Sequence, residues 1–292
     1  MNGEAAMTGP RQLELTRFAE GFLIPEGLRW RDGRLWMSDL MDGKVFRVDR
    51  DGSKTQLADF PALVSGLGFL PDGTLIAASM EDRKVYRIID GRLELFADLS
   101  DFATGSLNEL ITDGSGTTYV GNFGYDYMGG AEPRPTHLHL ISPDGDISEG
   151  PGSLIFPNGM VLVDGGRTLV VAETWNKRLT AFDRSADGRL SNARPYADLG
   201  ERTPDGLCVD AEDGIWIASF ETGEFLRLAV NGEITHEIRL PGHIAFACAL
   251  GGDDGKTLFA GAYDGSVEQI FEREFRGFVS TARVDVAAAA LI

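Results

Sequence analysis

The sequence contains few of the groups that several broad protein classes require. Cys208 and Cys248 are its only cysteines and both stand in apolar runs, so we expect buried free thiols and no disulfide framework. No stretch approaches 18 consecutive apolar residues, so a transmembrane helix is not predicted. The N-terminus lacks a basic stretch followed by an apolar one, so no secretory signal is predicted and a cytoplasmic location is favoured.

Positive charge is also scarce. The 292 residues include 27 Lys and Arg against 45 Asp and Glu, for a formal net charge of −18. Nucleic acids and anionic membrane surfaces are poor partners for such a chain, and we expect neither. The expected partner is a small molecule, and the expected assembly is a monomer or a small homo-oligomer.

Several common catalytic motifs are missing as well. The sequence shows no Ser-His-Asp arrangement, no Gly-rich loop that opens a helix, and no CxxC pair. Its four histidines are scattered and suggest no metal-binding pattern. No window predicts an amphipathic helix of useful length.

What the chain does contain is an internal repeat. Six short segments align with one another at intervals of 39 to 50 residues, which is the length of one blade of a β-propeller. The segments are PEGL (25–28), VSGL (64–67), LNEL (107–110), PNGM (157–160), PDGL (204–207) and FACA (246–249).

A second marker repeats in phase with the first. It is a short apolar run that ends in small or polar residues, typical of a strand buried on both faces. The runs are 35–39, 75–79, 118–122, 169–173, 215–219 and 258–262. Asp-Gly pairs between the two markers indicate tight hairpins, and alternating apolar and polar residues after the second marker indicate outer strands.

These patterns predict an all-β fold, a six-bladed β-propeller with four-stranded antiparallel blades. We expect residues 1–10 to form a disordered tail and residues 11–292 to form one domain. A strand at 11–18 and the final strand at 281–286 are expected to lie in one blade, because propellers close by pairing strands from the two termini.

The aligned position carries polar residues in most repeats. It is Glu26, Ser65, Asn108, Asn158, Asp205 and Ala247 in chain order. Equivalent positions of successive blades surround one axis, so these side chains should converge at one mouth of the central channel. Glu26, Asn108, Asn158 and Asp205 would then offer hard oxygen ligands for one divalent cation, such as Ca2+, Mg2+, Mn2+, Zn2+ or Fe2+.

Such a metal suits the hydrolysis of an ester or lactone. It can polarise a carbonyl, stabilise a developing oxyanion and position a water molecule. A neighbouring carboxylate can take the proton of that water. This chemistry requires no organic cofactor.

The chain resembles the senescence marker protein/gluconolactonase/regucalcin family from about residue 18 to residue 286. The segments that carry the resemblance are IPEGLRW, FPNGM, AFACALGGDDGKTLF and the long stretch from AETWNKRL to DGIWIA. The resemblance implies that Glu26, Asn158 and Asp205 bind the metal and that Asp205 is the general acid/base. It also implies that Asn108 contacts the substrate or water at the metal, or ligates the metal directly.

One departure from the family pattern concerns the substrate. Members that act on sugar lactones typically carry Arg two residues before the blade-three Asn and often Asp just after it, whereas this chain has Ser106 and Glu109. The metal-binding residues match the family pattern, so the reaction class is expected to be retained. The departure at these two positions makes a sugar lactone a less secure prediction for the substrate.

Other substrate contacts are expected around the same mouth. Residues 124–136 interrupt the repeat as a Gly- and Pro-rich loop, and we expect them to wall the substrate. Besides Asn108, the candidate substrate contacts are Ser65, Ser106, Tyr125, Trp175 and His243.

Three functions remain open at this point. The first is a metal-dependent lactonase with Asp205 as general acid/base. The second is a metal-dependent esterase or phosphotriesterase that uses the same site. The third is a propeller that binds calcium or senses a ligand without catalysis, since a fold alone does not decide function.

Overall fold

The computed structural model describes residues 9–290, and the first eight residues of the expected tail lie outside that range. The chain begins with β1 (Arg11–Gln12) and β2 (Thr16–Phe22). Blade 1 contains β3 (Pro25–Arg31), β4 (Arg34–Asp39), β5 (Lys44–Val48) and β6 (Lys54–Asp59). Blade 2 contains β7 (Val64–Phe69), β8 (Leu75–Ser79), β9 (Lys84–Ile89) and β10 (Arg92–Asp98). Blade 3 contains β11 (Leu107–Thr112), β12 (Thr118–Asn122), β13 (His139–Ile141) and β14 (Ile147–Glu149).

Three further blades follow. Blade 4 contains β15 (Pro157–Val163), β16 (Thr168–Glu173), β17 (Arg178–Arg184) and β18 (Leu190–Asp198). Blade 5 contains β19 (Pro204–Val209), β20 (Ile215–Ser219), β21 (Glu224–Leu228) and β22 (Ile234–Arg239). Blade 6 contains β23 (His243–Gly251), β24 (Thr257–Asp264) and β25 (Gly277–Arg283), and a short helix, α1 (Val267–Phe271), lies between its last two strands.

Six sheets of four antiparallel strands, one of which carries an additional strand, confirm the predicted six-bladed propeller. The first strands β3, β7, β11, β15, β19 and β23 pack against their neighbours in a closed ring around the axis. The second strands of blades 2 to 5 are buried along their whole length, as their apolar runs predict. The core thus lies between the faces of adjacent blades.

The N-terminal strand closes the ring, but its predicted bounds were wrong. Residues 16–22 form β2, which pairs antiparallel with β25 and completes blade 6. Residues 11–12 form the separate strand β1, which runs parallel to β22 and adds a fifth strand to blade 5. The predicted strand 11–18 would lie in one blade. The chain instead passes from blade 5 to blade 6 between residues 12 and 16, so the segment is divided into two strands.

The two cysteines face each other between neighbouring inner strands. Cys208 on β19 and Cys248 on β23 are free, with their Sγ atoms 3.5 Å apart. Cys248 is buried and Cys208 is partly exposed. No helix within residues 9–290 has the length and apolar character that a membrane crossing requires.

Candidate active site

The aligned residues meet at one mouth of the channel. In blades 1 to 5 the aligned residue is the second residue of the inner strand, and it lies at or within a register shift of the strand pairing. Such a bulge bends the strand and re-aims the side chain. Glu26, Asn108, Asn158 and Asp205 are all buried, and they line one cavity of about 150 Å3.

The glycine that follows the aligned residue allows the inner strands to come this close. A Cβ on Gly159 would lie 2.4 Å from the carbonyl oxygen of Asp205, and one on Gly206 would lie 2.7 Å from the Cα of Ala247. Real Cβ atoms do not approach backbone at these distances, so only glycine fits. The repeated glycine therefore has a packing role, while the residue before it is free to vary.

Hydrogen bonds fix the two amides. Asn158 Nδ2 donates to Thr174 Oγ1 at 3.3 Å, and the Thr174 hydroxyl donates to the Pro204 carbonyl at 2.8 Å. This directs Asn158 Oδ1 away from Thr174, and that oxygen is buried without a hydrogen-bond partner. Asn108 Nδ2 donates to the Pro157 carbonyl at 3.1 Å, while its Oδ1 accepts from the Ser65 hydroxyl at 3.3 Å.

The two carboxylates are the dominant electrostatic feature. Burial, assisted by the charge of Glu109, raises the pKa of Glu26 to about 8. Burial, together with the charges of Glu26 and Glu109, also raises the pKa of Asp205 well above its usual range. Asp205 Oδ1 is buried and has no hydrogen-bond partner. Buried acidic groups without partners are costly unless a cation compensates them.

The donor set fits a hard divalent cation. Among residues 9–290 no group of three or more His, Cys, Asp or Glu side chains is arranged as a metal site. The aligned set brings only two carboxylates, and its remaining donors are amide oxygens, of which Asn158 Oδ1 is unpartnered. Carboxylate and amide oxygens are the ligands that Ca2+ and Mg2+ take in proteins.

Glu109 is a residue whose role the sequence did not predict. It occupies the position that is glycine in most other repeats, and its side chain is buried. Its Oε2 accepts from Arg29 Nη2 at 2.8 Å, and the same nitrogen donates to the Leu110 carbonyl at 2.7 Å. Arg29 therefore neutralises a third acid that lies close enough to influence both Glu26 and Asp205.

The expected substrate contacts are distributed unevenly. Ser106 and Trp175 line the cavity together with Asn108. Ser65 is fully buried and contacts the cavity only through Asn108. Tyr125 and His243 are not lining residues: Tyr125 is buried behind the wall, and the His243 ring lies against Phe278 with its Nδ1 3.1 Å from the Pro241 carbonyl.

The loop 124–136 contributes two residues to the cavity wall. They are Tyr127 and Met128. The Asp126 carboxylate instead accepts from the Gly129 backbone N–H at 2.9 Å and so holds the loop's own turn.

Other lining residues were missed, although the repeat contains a signal for them. The residue directly after the second strand lines the cavity in blades 1 to 5. These residues are Leu40, Met80, Phe123, Thr174 and Phe220. Because that strand ends at the same mouth where the inner strand begins, the position after the second marker is a site position in each blade.

A second, larger cavity of about 440 Å3 lies at the opposite end of the channel. It is lined by the far ends of the inner strands and by Ala288, Ala289 and Ala290, which lie across that opening. None of the four buried polar residues of the aligned set reaches it. The smaller cavity therefore contains the candidate chemistry.

Fold and site together define a six-bladed propeller with a buried oxygen-donor cluster at one channel mouth. The SMP-30/gluconolactonase/LRE-like family model matches residues 24–262, and the chain belongs to that family. A pentonolactonase of Haloferax volcanii is 26% identical over 91% of each chain. A 6-deoxy-6-sulfogluconolactonase of Pseudomonas putida is 26% identical over 89% of this chain and 90% of its own. The calcium-binding protein regucalcin of Agrobacterium tumefaciens has a similar fold, with a TM-score of 0.82, 20% identity, and coverage of 98% of this chain and 100% of its own.

Proposed function

We propose that this protein is a divalent-metal-dependent lactonase. In this proposal Glu26, Asn158 and Asp205 hold the metal, and Asn108 orients the substrate or adds a ligand. Asp205 also acts as the general acid/base. The observation that carries the proposal is the pair of unpartnered oxygens, Asn158 Oδ1 and Asp205 Oδ1, buried beside Glu26 in one cavity. The names of two relatives, the pentonolactonase and the 6-deoxy-6-sulfogluconolactonase, favour the same reaction class.

The bound metal would supply Lewis-acid activation of the lactone carbonyl. The residues of this chain would perform the proton transfers. The Asp205 carboxylate takes a proton from the attacking water as the water oxygen bonds to the carbonyl carbon. The ring C–O bond then breaks, and Asp205 returns the proton to the departing alkoxide, which leaves a hydroxy acid.

The other residues of the site would support this step without changing protonation state. Thr174 holds the Asn158 amide so that its oxygen stays directed into the cavity. Ser65 of the neighbouring blade holds the Asn108 amide by its oxygen instead, since the Ser65 hydroxyl donates to Asn108 Oδ1. The apolar wall around them lowers the local polarity, which strengthens each electrostatic interaction in the site.

The test is proton release from a panel of small lactones in a pH-stat. We expect hydrolysis that a chelator abolishes and that one added divalent metal restores. A matched panel of carboxylic esters and phosphotriesters distinguishes a lactonase from the two related hydrolases. Metal binding without hydrolysis of any panel member would contradict the proposal and favour a non-catalytic calcium-binding propeller.

A further inference from the structure

Two sets of residues placed by the repeat line the cavity together with the polar cluster, and most of them are apolar. One set follows the second strands and comprises Leu40, Met80, Phe123, Thr174 and Phe220. The other set stands two residues before the aligned position in blades 1 to 4 and comprises Ile24, Leu63, Ser106 and Phe156. We call the seven apolar members the apolar collar: Ile24, Leu40, Leu63, Met80, Phe123, Phe156 and Phe220.

The two polar members of these sets offer little to a hydroxyl-rich ligand. The Thr174 hydroxyl already donates to the Pro204 carbonyl and accepts from Asn158. Ser106 is therefore the one remaining hydroxyl of the two sets. A polyhydroxylated ring would leave most of its own hydroxyl groups without partners in this collar, and unsatisfied buried polar groups weaken binding strongly.

Aromatic rings continue the collar from blade 3 to blade 6. Phe123 stacks on Phe156 with ring centroids 4.2 Å apart, and Phe156 lies 5.4 Å from Trp175. The ring centroids of Trp175 and Phe220 are 6.2 Å apart, and those of Phe220 and Phe246 are 5.8 Å apart. Phe156 has φ +52°, a conformation uncommon for a bulky residue and frequent at functional sites.

The apolar character extends outward to the rim. Tyr127 and Met128 of the loop 124–136, and Val267 and Phe271 of α1, line the cavity and are also exposed to solvent. Phe271 is 57% exposed and Met128 is 51% exposed. Exposed apolar side chains that cluster at the mouth of a cavity mark a binding surface.

The cavity lining offers no cationic side chain to an anionic ligand. Among the described residues, no Lys, Arg or His side chain lines it, and Glu81 lines it as an acid outside the proposed metal ligands. The enclosed volume, about 150 Å3, is also below the roughly 300–1,000 Å3 of a pocket that encloses a drug-sized ligand. A small ring fits inside, and a longer substituent has to extend over the rim.

From these observations we infer that the substrate is a neutral lactone with an apolar alkyl or aryl substituent, and not a polyhydroxylated or anionic lactone. The ring lies against the polar cluster, and the substituent lies along the collar and over Met128 and Phe271. This inference rests on the proposed lactonase function and specifies its substrate class.

The test compares kcat/KM across γ-lactones that differ only in alkyl chain length, with gluconolactone as the polyhydroxylated reference. Full burial of one methylene corresponds to roughly a fourfold gain in binding. We expect kcat/KM to rise about two- to fourfold per methylene over the first several carbons. We also expect the longer alkyl lactones to exceed gluconolactone by about 100-fold or more. Equal or better turnover of gluconolactone would overturn the inference and leave the lactonase proposal intact.

A pair of matched variants tests the rim. Phe271→Ser and Phe275→Ser replace exposed phenylalanines four residues apart, of which only Phe271 lines the cavity. Phe271→Ser should lower the ratio of kcat/KM for the longest lactone to that for the unsubstituted ring by about 3- to 10-fold. Phe275→Ser should leave that ratio as in the wild type. Equal ratios in all three proteins would contradict a role for the rim.

A binding measurement keeps the inference testable if no panel member is hydrolysed. Alkyl-substituted lactams share the ring shape and resist hydrolysis, and their binding is measurable by calorimetry or by intrinsic tryptophan fluorescence, to which Trp175 in the cavity wall contributes. Tighter binding with longer alkyl chains would support the inference about the cavity even if the lactonase proposal had failed. Absence of binding, or a preference for a polyhydroxylated lactam, would overturn it.

Discussion

Divalent metal should stabilise the folded protein measurably, because burial raises the pKa of both carboxyl groups at the channel mouth and their charged forms lack a compensating cation. Glu26 and Asp205 are both buried, and the charges of Glu26 and Glu109 add to the effect of burial on the pKa of Asp205. Arg29 pairs with Glu109 and partly offsets its charge. A cation that binds the folded state alone compensates the charge of Glu26 and Asp205. At a metal concentration 100 times Kd, the stabilisation is about 2.7 kcal/mol.

The size of the chain converts this free energy into a melting temperature. An unfolding entropy of about 2.1 cal/mol/K per residue gives about 0.6 kcal/mol/K for 292 residues. The expected rise in Tm is therefore about 4 °C at saturating metal. Differential scanning fluorimetry with Ca2+, Mg2+, Mn2+ and Zn2+, after chelator treatment, measures the rise and ranks the metals.

Two Glu-to-Gln variants distinguish metal binding at the aligned residues from metal binding to other acidic side chains of the chain. Glu26→Gln removes one anionic metal ligand and one buried ionisable group, so we expect a metal-dependent shift below about 1 °C and a metal-free Tm at least equal to that of the wild type. Glu81→Gln removes an acid at the edge of the same cavity that lies outside the aligned set, and should retain the full shift. The same shift in both variants, or no shift with any metal, would refute the reasoning.

Three further outcomes follow from the described geometry. Replacing residues 126–132 by a short Gly-Ser bridge should alter the ranking of a lactone panel while the metal-dependent Tm shift holds, and an unchanged ranking would contradict a role for the loop. Gly159→Ala should lower the free energy of unfolding by about 2 kcal/mol, because the new Cβ would meet the Asp205 carbonyl oxygen at 2.4 Å. A Tm that stays within about 1 °C of the wild type would contradict the close packing. Arg29→Met should cost about 2–3 kcal/mol in chemical denaturation by leaving the Glu109 carboxylate unpaired, and Arg29→Met with Glu109→Gln should recover most of that loss; a double variant no more stable than the single one would count against the ion pair.

The repeat made the fold predictable from sequence. Its first marker lies where each inner strand begins, and its second marker lies where each second strand ends. Both of these strand ends lie at the same mouth of the channel. The convergence of Glu26, Asn108, Asn158 and Asp205 follows from that phase alone, because equivalent positions of a closed propeller surround one axis. The N-terminal segment was less predictable, because residues 11–22 lack a turn signal where the chain passes from blade 5 to blade 6.

Side-chain contacts across blades could not be predicted in the same way. The Arg29–Glu109 pair joins blade 1 to blade 3, and the two residues are 80 positions apart in sequence. The apolar collar could have been predicted in part, since Phe123 and Phe220 each directly follow a second strand. That shared position can be recognised only once the ends of the strands are known. The wall contributed by α1 had no repeat to mark it, because Val267 and Phe271 occur in an insertion confined to blade 6.

The central claim is that Asp205 transfers the proton in a metal-dependent lactone hydrolysis, and the Asp205→Asn variant tests it most directly. Asn retains an oxygen that can ligate the metal but cannot accept the proton of the attacking water. With metal occupancy verified by calorimetry or elemental analysis, we expect kcat on the best lactone to fall by roughly 100-fold or more. Turnover near the wild-type rate at full metal occupancy would show that another group accepts the proton.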